Sequence, residues 1–126
     1  MDGATPATRV LVLGFDPYRV PGPWDPGPAA DGIEAGRARF VEHGLGAEFC
    51  LFGLDGSDDV EGVVSAALSA HAWECVVVGC GVRNSLELFE RVVNLVRRQA
   101  PDAAIAFNAT PEETFEAAAR WVEPGG

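Results

Sequence analysis

The sequence predicts an α/β domain of three layers, with helices on both faces of a four-stranded parallel sheet. Three observations carry this. Short apolar runs alternate with helical patterns four times, in the order β-α-β-α-β-α-β-α. The runs are continuously apolar rather than alternating, as expected of strands covered on both faces. The chain has 126 residues, 48% of them hydrophobic and 22% charged, which suits one core closed without disulfides or metal. Right-handed crossovers leave few arrangements of such a sheet, and the flavodoxin-like order 2-1-3-4 is the one predicted. Residues 1–126 are read as one domain with flexible ends at 1–8 and 124–126.

The first strand is Arg9 to Phe15 (RVLVLGF), ended by Asp16-Pro17. Residues 17–31 carry Pro17, Pro21, Pro23, Pro26 and Pro28 and are expected to form a loop with no helix in it. Asp31 with Glu34 resembles a capping box, so a helix is expected over 33–43 with Ile33, Gly36, Phe40 and Val41 inward and Gly44 as its stop. Ala47 to Leu54 (AEFCLFGL) is the second strand. Asp58 with Glu61 opens a second helix that turns Val60, Val63, Val64, Ala67 and Leu68 inward. Glu74 to Val78 (ECVVV) is the third and most apolar strand, broken by Gly79-Cys80-Gly81. Asn84 with Glu87 is a further capping box, and the helix it starts runs to about Ala100 with Leu86, Phe89, Val92, Val93 and Val96 inward. Leu88 and Leu95 form a second apolar stripe on it, suited either to a broad inner face or to a partner helix. Ala103 to Phe107 (AAIAF) is the fourth strand. Thr110-Pro111-Glu112-Glu113 then gives a cap, a proline at the first helical position and a glutamate at the third, with Phe115, Ala118, Ala119 and Val122 inward.

Charge removes several functions. Nine arginines and no lysine stand against 19 acidic residues, a net charge of −10. Such a surface repels phosphate backbones, so neither nucleic acid nor an anionic membrane is an expected partner. The absence of lysine excludes Schiff-base, P-loop and receiver-domain lysine chemistry. Cys50, Cys75 and Cys80 are odd in number and lack C-x-x-C spacing, which fits buried free thiols in a reducing cytoplasm. Residues 1–8 have no signal-peptide pattern and no apolar run is long enough to span a bilayer, so a cytoplasmic location is expected. No metal-ligand spacing is present, and no cofactor is indicated.

In a 2-1-3-4 sheet the connections leave strands 1 and 3 in opposite directions, opening a crevice at their carboxyl ends. Asp16, Gly79, Gly81, Arg83 and Asn108 fall on that rim. Glycines between a strand and a helix let backbone N–H groups approach an anion, and Arg83 can clamp a carboxylate or phosphate. The expectation is a site for a small anionic metabolite formed by Asp16, Gly79, Gly81, Arg83 and Asn108. A second reading is a small hydrolase or transferase using Cys80 or Asp16. It lacks an obvious base, because His43 and His71 fall at the opposite edge of the sheet. A third is a non-catalytic assembly or scaffold protein. The proline loop lies over the rim, with Trp24 as a lid or interface anchor. The short, uncharged fourth strand at the sheet edge, with the Leu88–Leu95 stripe, predicts a homo-oligomer.

G-C-G-V-R at Gly79 to Arg83, L-F-E-R-V-V-N at Leu88 to Asn94, A-F-N-A-T-P-E-E-T at Ala106 to Thr114 and G-F-D-P at Gly14 to Pro17 together resemble a group of short bacterial α/β proteins of unknown function. The resemblance runs from the first strand to about Trp121. It implies no activity, and its G-x-G-x-R pattern does not require cysteine in the middle, which favours Arg83 and Asn108 over Cys80.

Overall fold

The computed structural model describes residues 8–56 and 58–123. Its strands are β1 (Thr8–Phe15), β2 (Gly46–Phe52), β3 (Cys75–Val78) and β4 (Ala104–Phe107). They form one parallel sheet in the order β2-β1-β3-β4. Val10 to Leu13 of β1 pair with Cys75 to Val78 of β3, and those four pair with Ala104 to Phe107. The flexible ends expected at 1–7 and 124–126 lie outside the described residues, while Thr8 already belongs to β1.

The helices are α1 (Gly27–Glu42), α2 (Val60–Ala70), α3 (Cys80–Arg83), α4 (Leu86–Gln99) and α5 (Thr114–Ala119). Two-residue periodicity divides the strands between the faces. Leu11, Leu13, Val76 and Val78 meet α2 and α4 through Val64, Leu68, Val92, Leu95 and Val96. Val10, Val12, Cys75 and Val77 meet α1 and α5 through Phe40, Phe115, Ala117 and Ala118. Both faces of β3 are therefore buried, which explains its unbroken apolar run.

Helix α1 corrects the expected loop. Pro17–Arg19 is a 3-10 turn, and the helix starts at Gly27, not after Asp31. Pro28 sits in the first turn, where a missing N–H costs no intrahelical bond. Asp25 Oδ1 accepts the Gly27 N–H at 3.0 Å, and Asp31 and Glu34 lie inside the helix. Gly32, Gly36 and Phe40, spaced by four, set its buried stripe and leave Val41 80% exposed, contrary to its expected inward position. The stripe carries glycine at 32 and 36 because α1 passes directly over the 3-10 turn Pro111–Glu113: a Cβ on Gly36 would stand 2.4 Å from the Pro111 carbonyl oxygen.

Three other helix starts differ. Asp59, not Asp58, precedes α2, because Asp58 accepts the Gly53 N–H at 2.7 Å and pairs with Arg19. Asn84 ends α3 by donating its N–H toward Gly81 and Val82, and Ser85 then precedes α4. Leu86, in the first turn of α4, is exposed. Thr110 leads into a 3-10 turn rather than directly into α5. Leu95 is buried and Leu88 packs on the same cluster, so the Leu88–Leu95 stripe belongs to the inner face. The expected homo-oligomer then rests on the β4 edge alone, where Arg120 Nη2 already donates to the Phe107 carbonyl at 2.9 Å. No helix among the described residues is long and apolar enough to cross a membrane.

Candidate functional site

The carboxyl ends of β1 and β3 open into a cavity of about 410 Å³ on the α1 and α5 side of the sheet. Its apolar wall comes from Phe15 at the end of β1, Pro17 just after it, Pro28, Ala29 and Ile33 on α1, and Leu51 on β2. Gly79, Cys80 and Gly81 form the opposite side, with Asn108, Thr114 and Glu112 contributed from beyond β4. This is the crevice that the strand order requires, since the chain leaves β1 toward β2 and enters α3 from β3 on the other side.

Gly79, Gly81 and Asn108 thus meet at the cavity, and Cys80 joins them. Asp16 and Arg83 are not among its lining residues. Asp16 accepts the Tyr18 N–H at 3.0 Å and faces Arg19 at 3.5 Å, so it holds the Pro17–Arg19 turn. The Arg83 guanidinium donates to the Asn108 carbonyl. Arg19 packs its guanidinium against Gly53 and pairs with Asp58, tying the β1 exit to the β2 exit.

The glycine turn is occupied by the protein's own groups. Gly79 N–H donates to the Leu13 carbonyl at 2.8 Å, and Cys80 N–H to Asn108 Oδ1 at 2.8 Å. Asn108 Nδ2 donates to Thr114 Oγ1 at 2.9 Å, and Thr114 Oγ1 to the Pro111 carbonyl at 2.6 Å. Asn108 and Thr114 are buried, and both polar atoms of the Asn108 amide tip are used to join the end of β4 to α3 and α5. Two of the turn's N–H groups, those of Gly79 and Cys80, are thus taken up within the protein. Gly81 is required for a different reason: a Cβ there would lie 1.7 Å from Phe15 Cε1, so the Phe15 ring rests on the α3 backbone. Trp24 meets that ring edge-on, with centroids 6.4 Å apart, and its indole N–H reaches the Val20 carbonyl at 3.3 Å. Trp24 is 41% exposed and braces the cavity wall from outside.

Neither histidine lines the cavity. His43 stacks on Phe115 with centroids 4.3 Å apart, and His71 packs edge-on to Trp73. Among the cysteines, burial pushes the Cys75 thiol up to about 11. Burial, aided by Glu48 and Asp58, also raises Cys50. Cys80 alone of the three faces the cavity. No cluster of metal-ligating side chains occurs among the described residues.

The residue that sequence reasoning missed is Glu112. In the sequence it belongs to a helix start, where acidic residues are common. In the structure its carboxylate leans back across α1, with Oε1 2.9 Å from where a Gly32 Cβ would stand. The available signal was the pair of glycines at 32 and 36, which lets the 110–114 segment lie against α1. Searches of protein families, curated proteins and solved structures find nothing that matches this chain.

Proposed function

We propose that the protein is a small-molecule binding module and that the cavity at the ends of β1 and β3 is its site. The observation that carries this reading is the cavity's place and build. It lies where open parallel sheets take their ligands, and it combines an apolar wall on three elements with a rigid polar floor. Its volume of about 410 Å³ is within the range of small-molecule pockets. Binding accounts for this geometry better than catalysis does. Cys80 lines the cavity without a histidine beside it, and Asp16 is committed to the Pro17–Arg19 turn.

The anionic ligand expected from the sequence needs a cation and free N–H groups at the glycine turn. Arg83 does not line the cavity, and the N–H groups of Gly79 and Cys80 are bonded internally. The binding reading therefore stands on the cavity and not on the G-x-G-x-R pattern.

The test is a thermal-shift screen with neutral aromatic and alkyl fragments on the wild-type chain and on Ile33→Trp. Ile33 is a partly exposed wall residue, so the indole fills the cavity rather than the core. Fragments that raise the wild-type Tm are expected to lose their effect in Ile33→Trp, whose unliganded Tm stays close to wild type. Equal shifts in both proteins, or none in either, would remove the cavity as the site.

A further inference from the structure

The charge of the cavity lining is uneven in a way that specifies a ligand class. Among the described residues, Glu112 is the one charged side chain that lines the cavity. Its carboxylate lies over Gly32, next to the wall residues Ala29 and Ile33. It has no hydrogen bond or ion pair with any described residue, whereas the neighbouring carboxylates Asp16, Asp25 and Glu113 each have a partner. The first turn of α1, the other source of positive potential on this side, already has Asp25 on the Gly27 N–H and a proline at its second position. The whole chain adds a negative field, with a net charge of −10.

We propose that the cavity takes a small organic cation: an apolar body of phenyl or branched-alkyl size carrying an ammonium group. The body lies against Phe15, Pro28, Ile33 and Leu51, and the ammonium meets the Glu112 carboxylate at the mouth. This rests on the small-molecule reading of the same cavity and fixes its substrate class. The apolar wall supplies affinity through burial. Glu112 supplies selectivity, because it attracts a cation and repels an anion of the same shape. Each of those two effects is that of one exposed ion pair, so together they separate cation from anion by about tenfold in affinity.

The experiment uses three probes of matched shape: 2-phenylethylammonium, neutral 2-phenylethanol and anionic 3-phenylpropionate. Each is titrated into the full chain and into Glu112→Gln at neutral pH, with amide shifts of Ala29, Ile33 and Gly81 followed by NMR. Glu112 is exposed and has no partner among the described residues, so the variant keeps the fold, which the unperturbed spectrum elsewhere verifies. The expected result is the ammonium bound about tenfold more tightly than the carboxylate in the wild type. In Glu112→Gln that preference falls to about twofold or less, while 2-phenylethanol binds both proteins alike. An anion bound as well as the cation, or a preference that survives in Glu112→Gln, overturns the ligand class and leaves the binding reading standing. Failure of all three probes to move the cavity amides overturns the binding reading itself, and the ligand class with it.

Discussion

The two ends of the sheet are finished by different physics. At the amino ends of the strands, Arg9 holds Glu74 through two hydrogen bonds of 2.5 and 2.6 Å and donates to the Glu123 carbonyl at 3.0 Å. His43 closes the end of α1 by stacking on Phe115. Charges there are paired, and they lie on the surface. At the carboxyl ends Arg19 pairs with Asp16 and Asp58 beside the β1 exit, but the floor of the cavity is built from buried neutral groups. Asn108 and Thr114 join three elements with hydrogen bonds, and the one lining carboxylate, Glu112, has no partner among the described residues. The first end spends its charges on closing the surface, and the second keeps one available beside an apolar cavity. An ion pair at a wet surface contributes little to stability. A buried amide that satisfies other groups contributes more, because its loss strands them.

This difference orders the expected effects of substitution. Asn108→Ala should be the most damaging of three tests. It deletes the acceptor of the Cys80 N–H and the donor to Thr114 at a buried position, at a cost of about 2–3 kcal/mol in unfolding free energy by urea titration. A loss under ~0.5 kcal/mol would mean the floor of the cavity is not held by this network. Arg83→Ala removes one hydrogen bond to the Asn108 carbonyl from a largely exposed side chain and should cost about 1 kcal/mol. Ligand binding is expected to be unchanged in that variant, and a clear loss of affinity with stability intact would return Arg83 to the site.

The smallest effect belongs to the opposite end. The Arg9 guanidinium, by hydrogen bonding, holds the Glu74 carboxyl below its usual range. A folded-state value below the unfolded one contributes stability above the unfolded pKa and loses it as pH falls through the folded pKa. Glu74→Gln should therefore differ slightly from wild type in urea midpoint at pH 7, and the difference should shrink as pH falls below the usual carboxylate range and through the lowered folded-state value. A difference that persists in acid would show that Glu74 acts through packing instead.

The layers, the four strands and the 2-1-3-4 order were legible in the sequence because they follow from periodicity, handedness and burial on two faces. ECVVV could only be an inner strand, and every strand was placed within about two residues of its final limits. The start of α1 was not legible, since five prolines between 17 and 28 read as a loop unless it is known that Pro28 falls in a first turn. Val41 and Leu86 were misplaced because a helical phase depends on where the helix begins. The site shows the same division more sharply. Local sequence put Gly79, Gly81 and Asn108 at one rim, and the tertiary structure does bring them together. Whether their N–H and amide groups face a ligand or each other depends on partners far apart in the chain: Leu13 against Gly79, Asn108 against Cys80, Phe15 against Gly81. The sequence alone thus determined which strands meet and which loops share an edge, because those follow from patterns within a few residues. Only the tertiary structure decided which polar groups at that edge remain free. A hydrogen bond between distant segments is set by sub-ångström packing, and no spacing along the chain records it.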